Sequence, residues 1–181
     1  VALSLVRAGV QTDYRKLISF LPNQIREYNL EQALDYPNNF TRLAASGDLP
    51  LIRSFFDYYR ESAVYSNNIQ RVGNYCNRAF VLFGQLDAAT QNVLRPILLE
   101  MYEDYHWKLL LRGQAAEAEK VANSMIRDFG NPLSATLAAA HSALLRNDQR
   151  AATRLYADWA LRSADQGAND GGIVTPILDK V

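Results

Sequence analysis

The fold is decided by residues 133–165, which read LSATLAAAHSALLRNDQRAATRLYADWALRSAD. Apolar side chains recur there every three or four residues on both sides of the polar turn Arg146-Asn147-Asp148. This spacing places them on one face of a helix, and Asn tolerates the left-handed backbone that ends many helices. The stretch therefore predicts two amphipathic helices joined by a tight turn.

Similar turns recur along the chain, at intervals of 29 to 38 residues: Ala8-Gly9, Ser46-Gly47-Asp48, Phe83-Gly84-Gln85 and Arg112-Gly113-Gln114. Each separates two segments of helical periodicity, and no comparable segment alternates with the period of two that a strand requires. One helix pair cannot bury its own apolar faces, so we expect consecutive pairs to stack. The sequence predicts an all-α protein, an α-solenoid of about five antiparallel helix pairs.

The helical stripes also predict the core. Their residues are Ile52, Phe55, Phe56, Tyr59 and Ala63; Ile69, Val72, Tyr75, Cys76, Ala79, Phe80 and Phe83; Leu98, Met101, Tyr102, Tyr105 and Leu109; Ala118, Val121, Ala122, Met125, Ile126 and Phe129; and Ala152, Leu155, Tyr156 and Trp159. Because Cys76 lies on a stripe, we interpret it as a small buried residue and not as a nucleophile. Pro50, Pro96 and Pro132 are predicted at or near the first turn of a following helix, where a missing N–H costs nothing.

The last helix pair resembles a tetratricopeptide repeat. In residues 133–165, Ala140 holds the small position of the first helix, Asn147 the turn, Ala152 the small position of the second helix and Tyr156 the aromatic one. This resemblance implies a right-handed superhelix in which the first helix of each pair lines a concave groove that binds proteins.

The resemblance weakens toward the N-terminus. Residues 99–132 are similar to the family at Tyr102, Leu109, Gly113 and Ala118, and residues 70–98 at Phe80, Gly84 and Ala89 in a shortened repeat. The repeat of residues 99–132 departs by placing His106 where the family is small and Ala122 where it is large. Before residue 70 only the turns and the periodicity remain.

We therefore predict one helical-repeat domain over residues 1–165, with its better repeats in 70–165. Residues 166–181 are predicted to be a flexible, partly apolar tail or linker, because Gly171-Gly172 precede the apolar residues 173–178 and Pro176 prevents a regular helix there. We expect this tail to dock on the last hairpin or on a second copy, which would form a homodimer. The missing initial Met suggests an excised or processed chain.

Composition narrows the class of partner. Lys+Arg and Asp+Glu both number 19, and neither half of the chain has the basic excess of a nucleic-acid binder. No apolar run approaches the roughly 20 residues of a membrane span, and no signal peptide precedes the first turn. A single Cys excludes an internal disulfide framework and fits a cytoplasmic protein.

Motifs for catalysis and cofactors are missing. The chain has no phosphate-binding Gly-Lys-Ser/Thr loop, no dinucleotide-binding glycine motif and no hydrolase elbow, so no cofactor is predicted. Glu103 and His106 have the spacing of di-iron bundles, but that motif must occur twice, and His141 has Ala138 three residues before it. We interpret the pair as solvated or groove-lining, and predict neither a metal site nor catalytic residues.

The tetratricopeptide resemblance implies which residues line the groove. Arg71, Asn74 and Arg78 share one helix face and could hold an acidic side chain or a terminal carboxylate of a peptide. Glu103 and Trp107 from the next first helix and His141 from the last would make the groove acidic and then apolar.

These residues predict a noncatalytic protein-interaction module, such as an adaptor, a scaffold or a chaperone-like protein, that binds a protein or peptide segment. Two alternatives stay open at this point. The chain could be the regulatory arm of a larger, enzymatic protein, or an all-α enzyme with a His/carboxylate site.

Overall fold

The structure is a computed structural model that describes residues 41, 44, 45 and 47–170, without the side chains of residues 51 and 166–170. From residue 47 to residue 170 it contains six helices and no strand. They are α1 (Leu49–Tyr65), α2 (Ile69–Phe83), α3 (Ala88–Leu111), α4 (Ala115–Phe129), α5 (Leu133–Leu145) and α6 (Gln149–Asp170). The prediction of an all-α chain is thus confirmed over this range, and the predicted turn at Ala8-Gly9 lies outside the described residues.

The chain divides into two compact units. The first contains the described residues up to Ser66 together with Asn74–Leu98, and the second contains Asn67–Gly73 and the residues from Leu99 onward. The single domain predicted over residues 1–165 includes both and stays a prediction.

The first unit has an aromatic core. Phe56 of α1 contacts Phe83 of α2 edge to face, with ring centroids 6.5 Å apart, and the rings of Tyr59 and Tyr75 lie 6.0 Å apart. The stripe of Ile52, Phe55, Phe56, Tyr59 and Ala63 is buried throughout, as predicted. Cys76 is also buried, which confirms its interpretation as a packing residue.

The second unit is built from antiparallel neighbours. Tyr102 of α3 contacts Phe129 near the end of α4, Glu119 near the start of α4 pairs with Arg146 just after α5, and Thr136 of α5 bonds Arg162 of α6. Glu119 and Thr136 are early in their helices, and Tyr102 is early in the Leu99–Leu111 part of α3, and each contacts a residue at or after the late part of the next helix. Consequently the Leu99–Leu111 part of α3 and the whole of α5 run in the same direction.

Alanine dominates the core of this second unit. Fully or almost fully buried alanines occupy α4, α5 and α6: Ala118, Ala122, Ala135, Ala140, Ala143 and Ala152. Small side chains allow helix axes to approach closely, so the unit packs through close helix contact where the first packs through aromatic rings. The two small positions of the last repeat, Ala140 and Ala152, are buried as the family resemblance implies.

Three of the predicted turns have the expected left-handed residue. The φ angles are +62° at Gly47, +71° at Gly113 and +62° at Asn147. Gly84 does not follow this prediction: its φ is not positive, and its N–H donates to the Phe80 carbonyl as the helix continues into the turn. α4 ends in a pair of left-handed residues, Gly130 and Asn131, which the sequence pattern did not predict.

The prediction for Pro96 is wrong. Pro50 and Pro132 lie at the first turns of α1 and α5 as predicted, but Pro96 lies inside α3, which continues without a break from Ala88 to Leu111. Asp87 is the residue that begins this helix, because its Oδ1 accepts a hydrogen bond of 2.9 Å from the Thr90 N–H. The repeats predicted to meet between residues 98 and 99 therefore share one helix.

The C-terminal helix is longer than predicted. α6 continues to Asp170, five residues past the predicted domain end at Asp165. Residues 171–181, which hold the apolar part of the predicted tail, lie outside the described residues. Among the described helices, none combines the length and the apolar character needed to cross a membrane.

Candidate functional site

The predicted carboxylate clamp lies on α2. Arg71 and Asn74 are exposed, and Arg78 is half-buried. Arg71 belongs to the second compact unit, whereas Asn74 and Arg78 belong to the first. The three residues therefore stay a prediction as a joint site. Within the second unit, the structure brings other predicted residues together.

Three aromatic side chains of the second unit lie in a row, with His141 in the middle. The rings of Trp107 and His141 have centroids 5.9 Å apart, and those of His141 and Tyr156 lie 5.8 Å apart. Both contacts are edge to face, the arrangement that aromatic pairs prefer. Trp107 is 52% exposed, so the row presents an indole ring to solvent. Two of the predicted groove residues, Trp107 and His141, are thus brought together.

Exposed leucines extend this row in one direction. Leu111 follows Trp107 by one helical turn on α3 and is 71% exposed, and Leu144 and Leu145 follow His141 on α5 with 51% and 56% exposure. Because α3 and α5 run in the same direction, these leucines all lie on the C-terminal side of Trp107 and His141 along the helix axes. We call the resulting patch the Trp107 surface; it comprises Trp107, Leu111, His141, Leu144, Leu145 and Tyr156.

A buried polar pair connects α3 and α5 next to the Trp107 surface, since His106 precedes Trp107 and Ser142 follows His141 in the chain. His106 is only 3% exposed, and its Nε2 lies 3.0 Å from Oγ of Ser142, which is fully buried. The Ser142 hydroxyl donates its single hydrogen to the Ala138 carbonyl at 3.0 Å. With that hydrogen given to Ala138, the Ser142 oxygen is an acceptor for His106, an arrangement that fits the tautomer with a hydrogen on Nε2.

The prediction of a solvated or groove-lining Glu103/His106 pair is wrong. Glu103 is half-buried, but His106 lies within the core of the second unit. One signal in the sequence could have found this: His106 occupies a small position of the repeat, and such positions face the neighbouring helix. Ser142 gave no signal of its own, because serine is more often exposed than buried.

Burial keeps both histidines uncharged at neutral pH. Burial lowers the pKa of His106 to about 4; the Ala138 backbone acts in the opposite direction and His141 in the same direction. Burial also lowers the pKa of His141, and it raises that of Tyr156. The middle of the Trp107 surface is therefore a neutral imidazole, which behaves as an aromatic ring.

Charged groups border the Trp107 surface asymmetrically. Glu103 lies one turn before Trp107 on α3, whereas α5 contains no charged residue at all. Lys108 forms an ion pair with Asp104, with Nζ and Oδ2 2.7 Å apart. Arg146 forms another with Glu119, with Nη2 and Oε1 also 2.7 Å apart. The end of the surface near Glu103 is thus acidic, and the end with the leucines is apolar.

Within the described residues, no three His, Cys, Asp or Glu side chains come together as a metal-binding group. The two histidines make a serine contact and two ring contacts, and each of these is a packing interaction.

Comparison with protein-family models finds no match to this chain, and searches of curated proteins and of solved structures find none either.

Proposed function

We propose that this chain is a noncatalytic protein-interaction module that binds a protein segment on the Trp107 surface. The observation that carries the proposal is the exposed Trp107 ring, fixed against His141 and continued by three exposed leucines. Contiguous exposed apolar patches of this kind mark interaction sites, and Trp is the side chain that most often dominates binding energy.

The proposal includes a tetratricopeptide-like architecture, a right-handed α-solenoid. It is supported by the antiparallel order of α3, α4, α5 and α6 in the second unit, and by the burial of Ala140 and Ala152. The left-handed residues Gly113 and Asn147 supply further support at the two turns. In such a stack the surface shared by α3 and α5 lines the groove.

The rigidity of the site favours binding. His141 contacts two rings, and the hydrogen bond between His106 and Ser142 connects α3 to α5. A preformed surface loses little conformational entropy when it captures a segment, so more of the contact energy remains as affinity.

A displayed library of random twelve-residue peptides tests this function. Peptides selected on the full chain should bind with a Kd that Trp107→Ala weakens by at least about tenfold, since anchor residues contribute 2 kcal/mol or more. Leu161→Ala is the matched control: Leu161 is exposed on α6, half a turn around the helix from buried Ala152. Equal binding to the parent and to Trp107→Ala, or no enriched peptide, would contradict the proposal.

The sequence left two alternative functions open, an all-α enzyme and a regulatory arm. An all-α enzyme with a His/carboxylate site gains no support from the described residues, because His106 is buried against Ser142 and Asp104 is paired with Lys108. A regulatory arm of a larger protein is compatible with the same binding surface, since the regulatory step would itself be the capture of a segment.

A further inference from the structure

The Trp107 surface has a polarity that constrains what it binds. Starting from the proposed function, we infer that the captured segment is apolar and carries a Lys or Arg side chain, whose cation lies at Glu103 while its apolar side chains cover Trp107, Leu144 and Leu145. The occupant is a separate protein or peptide segment.

Charge complementarity carries this inference. Glu103 lies on the same face of α3 as Trp107, and Glu100, which is exposed, lies one turn further toward the N-terminus of the helix. The cations Lys108 and Arg146 each approach a carboxylate to 2.7 Å. The guanidinium of Arg112 donates hydrogen bonds to the carbonyls of Lys108 and Asn67. A cation on the partner is therefore attracted to the Glu103 end of the surface, and an acidic side chain there is repelled.

Half-burial of Glu103 strengthens its attraction for a cation on the partner. A carboxylate that is partly removed from water interacts more strongly with an incoming cation than a fully exposed one, because solvent screens it less. A guanidinium can also reach it with two parallel hydrogen bonds, which fixes the direction of the segment.

The helix spacing sets the sequence pattern of the partner. Glu103 precedes Trp107 by four residues, about 6 Å along the axis of α3 at 1.5 Å per residue. An extended partner covers that distance with two residues, and a helical partner with four. The basic residue should therefore lie two or four positions from the apolar residue that contacts Trp107.

The chain's own C-terminal residues fit this pattern poorly. Residues 171–181 contain Asp179 directly before Lys180, so the segment brings no net positive charge to Glu103. The complete chain also has a formal net charge of zero, which gives a second copy no general attraction to an acidic surface. A basic and apolar segment of another protein satisfies both ends of the surface.

The experiment selects the twelve-residue library on three proteins: the parent chain, Glu103→Gln, and Glu61→Gln as the matched control. Glu61 is exposed on α1 in the first unit. Peptides from the parent and from Glu61→Gln should be enriched in Lys or Arg at two or four positions from an apolar residue, and those from Glu103→Gln should lose this enrichment. Circular dichroism checks that each variant is folded.

A cycle with one enriched peptide sharpens the result. Replacing its basic residue by Gln, or Glu103 by Gln in the protein, should each weaken binding by about fivefold, and the double replacement by little more than either. Raising the salt concentration should weaken the parent complex and leave the Gln pair nearly unchanged.

The outcomes separate the two proposals. Enriched peptides without a basic preference that still lose affinity with Trp107→Ala would overturn this inference and leave the proposed function intact. Failure of both, or no enrichment at all, would overturn the two together. Binding that appears only after residues 171–181 are deleted would assign the Trp107 surface to the chain's own tail and would also overturn the inference.

Discussion

At the scale of single residues, one close packing constraint in the second unit lies between α2 and α3. A Cβ added to Gly73 would lie 2.7 Å from Oη and 3.0 Å from Cζ of Tyr105. The phenol ring is rigid and half-buried, so it cannot move away as the end of a flexible chain would. Gly73→Ala should therefore lower the free energy of unfolding by about 1 to 2 kcal/mol, although Ala is favoured over Gly in a helix by about 1 kcal/mol.

Thermal unfolding followed by circular dichroism measures this effect. Gly84→Ala is the matched control, because its added Cβ would meet nothing closer than 3.6 Å. Truncating the ring with Tyr105→Ala should make Gly73→Ala neutral or stabilising. A stabilising Gly73→Ala in the parent chain would show that the helices tolerate the added methyl group.

His106 should make the stability of the protein depend on pH. Its folded-state pKa of about 4 lies below the ordinary histidine pKa of 6.5. Between these values the unfolded chain binds a proton that the folded chain does not, so stability is lost as the pH falls from about 6.5 toward 4. The loss attributable to this side chain is about 2 kcal/mol at pH 5, at about 1.4 kcal/mol per pH unit.

Urea unfolding at pH 7.5, 6 and 5 measures that loss. His106→Gln should unfold with a shallower pH dependence than the parent, and the comparison cancels the carboxylates that both chains share. His141→Gln separates the contribution of the second histidine, whose pKa is also lowered by burial. Identical pH dependence in His106→Gln and the parent would mean that His106 is protonated as readily in the folded state as in the unfolded one.

At the scale of helices, the sequence predicts most of what the structure contains. Period and turn residues are local properties, so the helix after Gly47 and the helices on both sides of Gly113 and Asn147 follow from them directly. The error at α3 has a physical reason: Pro is compatible with a first turn and also with the exposed side of a long helix, and the sequence alone does not separate the two. The prediction of a left-handed turn residue at Gly84 failed for a related reason: glycine permits a left-handed turn but does not require one.

The interior position of Pro96 leads to a prediction about α3. Proline has no N–H, so the carbonyl of Asn92 cannot accept the usual hydrogen bond from residue 96. Pro96 and Asn92 are both exposed. Pro96→Ala restores the missing donor at an open position, and an interior proline costs about 3 kcal/mol relative to alanine.

We expect Pro96→Ala to raise the melting temperature by several degrees in a thermal scan, with part of the 3 kcal/mol recovered. Pro50→Ala is the matched control, because Pro50 lies in the first turn of α1 and its replacement should change stability little. A lower melting temperature in Pro96→Ala would indicate that the packing around α3 depends on the local distortion that proline introduces.

At the scale of the whole molecule, the candidate site was only partly predictable. The repeat pattern assigned Trp107 and His141 to corresponding helices, and these residues do meet. It could not reveal Tyr156 as the third ring or Ser142 as the partner of His106, because both depend on how α5 rotates between its neighbours. Contacts between helices distant in sequence are set by rotation and tilt, which periodicity leaves free.

The last prediction concerns the C-terminal residues, which lie outside the described part of the chain. Their apolar members are Ile173, Val174, Ile177 and Leu178, and α6 before them already exposes Leu161. Burying one such side chain contributes about 1.5 to 3 kcal/mol, so a docked tail stabilises what it covers. Deleting residues 172–181 should then lower the melting temperature or convert a dimer to a monomer.

Thermal scans and light scattering measure the two effects on the same samples. Ile177→Ser with Leu178→Ser is the matched control of full length, and it should reproduce most of the change, because the apolar contacts are lost while the chain length is kept. If docking is on the same chain, the loss of stability does not depend on protein concentration; if it is on a second copy, dilution alone lowers the melting temperature of the parent. A truncated chain with the melting temperature and the oligomeric state of the parent would mean that these residues are a linker. An apolar segment that covers a folded surface cannot be removed without loss of stability or association.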